Sequence, residues 1–572
     1  MVMLSRFVPL PASLTRKVSP IQGGDCTSFI ERNGQNQRVL ISEPALWTEN
    51  WMGWFDAWGG KAPAGDWPTF ESTEQSGSKA FGILRWTARG GSHVNFYNWA
   101  GGNHFARNAG SSMVNVYYWK APIAPDNLAQ GPERKHMSRV YAAIAQVSDC
   151  ILSTDAQLHK QKMLPGNAMA FVYSCGDSEV VFLENGCEGG GSCPASVAWQ
   201  GKNHSVPPGS ATILEDGEAI FNSADVKPLG KKHVWTATSS APLAWKAFPD
   251  PAIPKSAKDL PPPSPPYTPW AGSALGRVVT AEMPLEQVNF TEYDSELLMY
   301  SRVVTKAEAD ALIGSHDQAA VPMTLQSAVA NAWTIFADGK MVGSGWELGH
   351  HGGAVHLGVD DASRFGGKNI SVDLSAVSSS SFLLTMMSTS VGIDNGGGIG
   401  IPDSGQTIPV HSTGIKGIVT TRPGAVVLGE TDLTRGPWTH RVGAVGEAKE
   451  VFTTAGAATV TWSAAGKTAA PMTWLTATFA APAEVLAQGP ATELEATLNL
   501  DVTGLSRGRF FVNGMDLGRY WSKTCGQEEQ MCQRYYPLPF DKLKASGNVL
   551  TVLDEMGARD LAAVRLAVSK NQ

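Results

Sequence analysis

The sequence predicts a multidomain protein: a parallel βαβ segment near its start, then antiparallel β-sandwich domains over most of its length. Three observations predict this. Two apolar runs, residues 38–46 (RVLISEPAL) and 94–99, flank one helix-like stretch at 78–91. Buried strands that read as apolar throughout, with a single helix between them, are parallel neighbours. From residue 165 onward the pattern changes to short alternating runs such as AMAFVYS, EVVFLEN and SATILEDG, broken by Gly, Pro and Asn. That is the period of sheets buried on one face. Finally, residues 249–270 (PDPAIPKSAKDLPPPSPPYTPW) are rich in proline and predict an extended connection.

Taken in order, these signals divide the chain into a βα segment at 1–150, a small β-sandwich at 160–246, a Pro-rich linker at 247–272, a β-sandwich or jelly-roll at 273–480 and a C-terminal β domain at 481–572. A chain of 572 residues is long enough for each part to bury its own core. Net charge is −7 and charged residues are 17% of the total. That balance argues against nucleic acid or an anionic membrane as partner. No window has the 18 or more apolar residues of a membrane span. The first twenty residues lack the pattern of a signal peptide, because Arg6, Pro9 and Pro11 interrupt a short apolar stretch. Among seven cysteines, Cys187 and Cys193, and Cys525 and Cys532, are spaced for small loop-closing disulfides, and Asn203, Asn289 and Asn369 begin N-x-S/T sequons. No metal and no cofactor are expected: Cys-x-x-Cys pairs are lacking, and His350 and His351 stand in a Gly-rich loop without ligand spacing.

The chemistry concentrates in residues 47–60, WTENWMGWFDAWGG, where one carboxylate, Glu49, stands among Trp47, Trp51, Trp54 and Trp58. Sugar rings have apolar C–H faces that stack on indoles, and a carboxylate at the anomeric carbon can attack it or stabilise an oxocarbenium-like transition state. Read as following strand 38–46, Glu49 falls just past its C-terminal end, where barrel enzymes carry their chemistry.

This segment resembles the nucleophile region of the plant-type β-galactosidases of glycoside hydrolase family 35. The stretch 92–110 (SHVNFYNWAGGNHFARNAG) is similar to the family's strand and Gly-Gly-Thr-Asn-Phe-Gly turn, and 114–123 (VNVYYWKAPI) to its Tyr-Asp-Tyr-Asp-Ala-Pro-Ile run. Downstream, 333–346, 436–452, 472–482, 508–521 and 533–557 resemble the family's later β domains. The resemblance implies the C-terminal remnant of a (β/α)8 TIM barrel, strands seven and eight, followed by β-sandwich, jelly-roll and galactose-binding-like domains. It implies a retaining β-galactosidase with Glu49 as nucleophile, and a galactose site lined by Trp54, Tyr97 and Trp119. Its ligands would be β-galactosides or galactose-containing polysaccharides, and its place outside the cell, in the cell wall, or in a vacuole or lysosome.

Two departures qualify the expected activity. A complete barrel takes roughly 250 residues, yet 48 precede Glu49, and the family's acid/base run, Asn-Glu-Tyr-Gly, occurs nowhere in the chain. Glu31 and Glu43, the glutamates upstream, read as surface charges. The chain is therefore expected to be a fragment lacking strands one to six, with the break near residue 20, and to be inactive on ordinary substrates. Second, Tyr118, Trp119 and Lys120 replace the family's Asp-Tyr-Asp. The alternative is a non-catalytic carbohydrate-binding protein.

Overall fold

The computed structural model describes residues 45–51, 73–109, 114–117, 121–123, 131–153, 158–187, 193–227, 233–238, 242–265, 272–315, 317–326, 332–346, 368–377, 381–390, 425–487, 496–522 and 533–571. The chain opens with strand β1 (Ala45–Trp51), helix α1 (Thr73–Ala88) and strand β2 (Gly91–Tyr97), with β1 and β2 parallel. The expected βαβ unit is present, but its strands are displaced. Glu49 lies within β1 and not beyond a strand ending at residue 46, because the tryptophan-rich run is itself extended and Trp47 packs on Trp86 of α1 at 5.6 Å between ring centroids. Residues 38–44 lie outside the described residues.

Helix α1 forms because Ala80, Ile83, Leu84 and Thr87 recur at the spacing of one helical face, all buried. It stops at Gly90, whose φ of +86° closes the turn. The next residue must also be glycine: a Cβ at Gly91 would lie 2.2 Å from the Trp86 indole nitrogen. With helix α2 (Gly131–Gln146), α1 covers one face of a five-stranded antiparallel sheet ordered 218–222, 210–215, 178–185, 168–175, 158–164. Alternation divides the strand Ala168–Cys175: Phe171 and Tyr173 face the helices, while Ala168, Ala170 and Val172 face the hairpin of Ser196–Trp199 and Lys202–Ser205. Arg85 and Arg89 of the α1 end converge on the buried Glu184 carboxylate at 2.8 and 2.5 Å.

Disulfide Cys187–Cys193 forms as spacing suggested, and Cys150–Cys175, which spacing did not suggest, ties the short helix after α2 to the five-stranded sheet. Cys525, Cys532, His350 and His351 lie outside the described residues.

The remainder is four stacked β layers. A four-stranded sheet (368–372, 321–326, 425–428, 431–432) packs on a six-stranded one (278–281, 438–442, 297–304, 382–389, 332–337, 340–346) through Met323, Leu325, Trp333 and Met386. The far face of that sheet meets a second six-stranded sheet (463–464, 246–249, 473–479, 548–554, 507–512, 515–521), which is backed by strands 233–237, 565–571, 496–501 and 535–537. Two sandwiches thus stand back to back. The expected divisions at 246/247 and 480/481 both cut through sheets: strand 233–237 pairs with 565–571, and strands 246–249 and 473–479 share a sheet with 548–554. The start of the Pro-rich segment is likewise part of the fold, since the Asp250 carboxylate accepts hydrogen bonds from the backbone N–H groups of Val445 and Gly446 and from Trp474 Nε1 at 2.7–3.0 Å.

Between the two sandwiches lies a buried ionic cluster. Glu555 accepts from Arg507 Nε and Arg519 Nη1, both at 2.7 Å, and from Thr389 Oγ1 of the facing sheet at 3.0 Å. Arg507 also donates across the interface to Thr334 Oγ1 at 2.8 Å, and Arg519 to Glu296.

Candidate functional site

The carboxyl ends of β1 and β2 lie side by side, and two of the residues that sequence singled out, Glu49 and Tyr97, belong to these strands. Register pairs Trp47 with Val94, Asn50 with Phe96 and Trp51 with Tyr97. Between the first two pairs β1 has two residues, Thr48 and Glu49, against one on β2, Asn95. Glu49 therefore belongs to a bulge. The irregularity accounts for the burial of both Trp47 and Asn50, three residues apart, which strict alternation would send to opposite faces. Bulges recur beside active sites because the extra residue re-aims side chains.

Tyr97 ends β2, next to Trp51 and two residues along the neighbouring strand from the Glu49 bulge. The structure thus brings the backbones of Glu49 and Tyr97 to one edge. Trp54 and Trp119 lie outside the described residues.

The chain leaving β2 is held by backbone pairing. Ala100 bridges to Ile123 in parallel, Gly101 N–H donates to Ile123 O at 2.8 Å, and Gly102–Asn103 pairs with Val116–Tyr117. This loop then docks on the hairpin formed by strands Arg507–Val512 and Met515–Trp521. The buried Asn115 carboxamide donates to Leu517 O at 2.7 Å, and Ala106 N–H to Asp516 O at 3.2 Å. Gly518, with φ +98°, makes the approach possible: a Cβ there would stand 2.6 Å from both Asn115 Nδ2 and His104 O. Arg107 Nη1 reaches Asp294 O at 2.9 Å in the other sandwich. Burial lowers the pKa of His104 from its ordinary 6.5, so its imidazole stays neutral at pH 7. Beneath the loop, Phe96 packs on Trp99 at 5.1 Å and edge-on to Tyr141 at 6.1 Å.

Sequence reasoning missed the Asn115–Leu517 clamp and His104. The signal that could have found the clamp is the glycine in the strand sequence MDLGRYW, since a glycine inside a strand marks close backbone approach. Among the described residues no group of three or more His, Cys, Asp or Glu side chains is placed to hold a metal ion, and no helix is long and apolar enough to cross a membrane.

Comparison with known families matches residues 11–144 to glycosyl hydrolases family 35 and residues 472–548 to the β-galactosidase galactose-binding domain. The first match begins ahead of residue 20, where family-like sequence was expected to start. The second spans residue 480, in agreement with the sheet pairing and against a boundary there. Similar solved structures include a calcium-binding mutant of Bacteroides uniformis β-glucuronidase 2, at 10% identity over 56% of this chain and 28% of that one, with a TM-score of 0.13. Bifidobacterium dentium β-glucuronidase aligns at 12% identity over 57% and 42%, TM-score 0.15, and the Pleurotus ostreatus lectin at 11% over 59% and 85%, TM-score 0.11. The chain spans 28% and 42% of the lengths of those two glucuronidases. The chain thus carries a segment similar to glycosyl hydrolases family 35 ahead of a segment similar to the β-galactosidase galactose-binding domain, and the loop after β2 in the first is clamped to a hairpin of the second.

Proposed function

We propose that the protein acts on terminal β-galactosyl residues by the retaining mechanism, with Glu49 as the nucleophile. The observation that supports it is the place of Glu49: in a bulge near the carboxyl end of a parallel strand, inside the family 35 match, one strand from Tyr97. In that mechanism Glu49 attacks the anomeric carbon, the bond to the aglycone oxygen breaks, and water hydrolyses the glycosyl-enzyme. Tyr97, Trp54 and Trp119 would line the sugar, the indoles stacking on its C–H face.

The two carboxyl groups of a retaining glycosidase stand about 5–5.5 Å apart, and the second one protonates the departing oxygen. No Asn-Glu-Tyr-Gly run occurs in the sequence, so turnover by this chain is proposed to depend on leaving groups that need little protonation. General acid catalysis is worth about 10²- to 10⁴-fold. A second reading, carbohydrate binding without hydrolysis, is favoured by the galactose-binding domain match.

The test is hydrolysis of an aryl β-galactoside and of lactose by the purified chain, with Glu49→Gln as blank. The proposal expects release from the aryl substrate, lost by several orders of magnitude in Glu49→Gln, and little from lactose. A Glu49→Gln protein retaining more than about a tenth of turnover would remove Glu49 from the nucleophile role. Galactose binding with neither substrate cleaved would establish the second reading.

A further inference from the structure

We propose that Asn203 is an acceptor for N-linked glycosylation. The starting point is the hairpin that covers the outer face of the five-stranded sheet. Its strands Ser196–Trp199 and Lys202–Ser205 are joined by Gln200 and Gly201, both in the left-handed region at φ +46° and +79°, as a two-residue turn with matching twist requires.

Alternation sorts the hairpin into two faces. Val197 and His204, a cross-strand pair, are buried against the sheet. The other face carries two pairs, Ala198 with Asn203 and Ser196 with Ser205, and all four residues are exposed. Asn203 and Ser205 are the first and third residues of the sequon Asn-His-Ser. They project side by side into solvent, and their neighbours across the strand are a methyl group and a small hydroxyl. The cross-strand partner of Asn203, Ala198, and its neighbours two residues along the chain, Gly201 and Ser205, are all small. Its side chain and the Ser205 hydroxyl also hold no structural hydrogen bond among the described residues; what the fold uses is the Ser205 carbonyl, which accepts from Thr212 Oγ1 at 2.8 Å and Asn222 Nδ2 at 2.9 Å. A glycan at Asn203 would therefore cost the hairpin none of its contacts.

The second, independent observation is redox chemistry. Cys187–Cys193 closes the loop that enters this hairpin, and Asn185 pins the hairpin's base by donating to Pro194 O and Val206 O, both at 2.7 Å. Cys150–Cys175 closes on the opposite side of the same sheet. Disulfides persist where thiols are not kept reduced, and those are the compartments in which sequons are modified. Of the other two sequons, Asn289 lies in the helix Gln287–Thr291 and Asn369 in the strand Lys368–Val372.

In the transfer, the Asn203 amide nitrogen forms a bond to C1 of an oligosaccharide carried on a lipid diphosphate. The C1–O bond to the diphosphate breaks, the lipid diphosphate leaves with the electron pair, and the amide nitrogen gives up one proton to base. No oxidation or reduction is involved.

The experiment uses the full chain behind a cleavable secretory leader in eukaryotic cells. The peptide containing residue 203 is analysed by mass spectrometry before and after peptide:N-glycosidase, alongside Asn203→Gln and Ser205→Thr. The expected result is an oligosaccharide on that peptide, conversion of Asn203 to aspartate on enzymatic release, loss of the glycan in Asn203→Gln with an unchanged melting midpoint, and retention in Ser205→Thr. Secreted protein with both disulfides closed and an unmodified Asn203 would overturn the glycosylation, as would modification confined to Asn289 or Asn369. Recovery of the secreted protein with Cys150, Cys175, Cys187 and Cys193 as free thiols and Asn203 unmodified would overturn it as well.

Discussion

The family 35 segment and the stacked sandwiches solve the burial problem in opposite ways. In the first region, β1 and β2 contribute a two-stranded sheet among the described residues, and its helices find their apolar partner in a five-stranded sheet that begins at Leu158, beyond both of them in sequence, through Phe171, Phe182 and Ile213. In the second, every sheet has four or six strands, each sandwich has its own apolar core, and a third apolar cluster lies between the sandwiches beside the buried ionic cluster. The difference teaches where the chain can be cut. A unit whose core lies almost wholly inside its own sequence span, as the sandwiches' does apart from Val114 and Val116, can stand alone; one that borrows most of its core cannot.

The largest effect should come from testing that directly. A chain beginning at residue 165 loses strand Leu158–Leu164 and both helices, which uncovers Phe171, Phe182 and Ile213. A contiguous exposed apolar patch of that kind favours aggregation. A chain beginning at 233 keeps strand 233–237 on its partner 565–571 and all four layers of the stack. We expect the first to be insoluble or to melt without cooperativity and the second to melt cooperatively; a soluble, cooperative fragment from 165 would show that the helices are dispensable to the sheet.

Next in size is the cluster between the sandwiches. Glu555→Ala leaves the Arg507 guanidinium buried without its counter-charge and Arg519 with Glu296 alone, and breaking a buried pair costs about 3–5 kcal/mol. Asp310→Ala, which breaks an exposed pair with Lys306, is the control and should hardly move the midpoint. Burial alone would raise the Glu555 carboxyl, but Arg519 and Arg507 bring it from 4.5 down to about 2. A carboxylate depressed on folding lends stability that is complete above pH 4.5 and disappears as pH falls toward about 2. Denaturant midpoints of wild type and Glu555→Ala should therefore converge as pH is lowered through that window, and parallel curves would show that Glu555 is not the group responsible.

The disulfide of the first region ranks third. Cys150–Cys175 closes a loop of 25 residues, for which the chain-entropy argument gives about 3 kcal/mol. Replacing both cysteines with serine should lower the melting of the helices and the five-stranded sheet while leaving that of the sandwiches in place. A single shared shift in calorimetry would mean that the two regions unfold as one.

The sequence was most legible where information is local. Helix α1, the parallel order of β1 and β2, the Cys187–Cys193 loop and the alternating strands after residue 165 follow from periodicity and spacing within a few residues. What could not be read depends on residues far apart. Strand 246–249 looked like the start of a linker because its partners lie at 463–464 and 473–479, and the 480/481 division failed because 473–479 finds its neighbour at 548–554. At the site, the two neighbouring parallel strands that carry Glu49 and Tyr97 could be read from the residues and from family resemblance, but not that Glu49 lies within β1 or that β2 ends at Tyr97. The bulge could not, because it depends on register with β2. The clamp between the two regions was equally hidden, its two halves being about four hundred residues apart, with an asparagine on one side and a backbone carbonyl on the other.

That clamp carries the smallest and most informative effect. Asn115 is buried, and its carboxamide is what joins the loop following β2 to the hairpin carrying Leu517. Asn115→Ala removes one donor and leaves the Leu517 carbonyl unsatisfied, at a cost of about 1–3 kcal/mol. Because Ala106 N–H still reaches Asp516 O and Arg107 still reaches Asp294 O, the two regions should stay joined. The expected outcome is a small fall in the melting midpoint together with faster amide exchange over residues 98–109, and no change in exchange within strands 507–512 and 548–554. Gly518→Ala attacks the same contact from the other side, forcing a Cβ to within 2.6 Å of Asn115 Nδ2 and His104 O in a left-handed backbone, and should loosen the same loop. If galactose or an aryl galactoside binds at the edge where Glu49 and Tyr97 meet, both variants should weaken that binding through the loop alone, since neither touches β1. Unchanged exchange over 98–109 in both variants would mean that the loop after β2 is held from within its own region, and that the sandwich hairpin is only its neighbour.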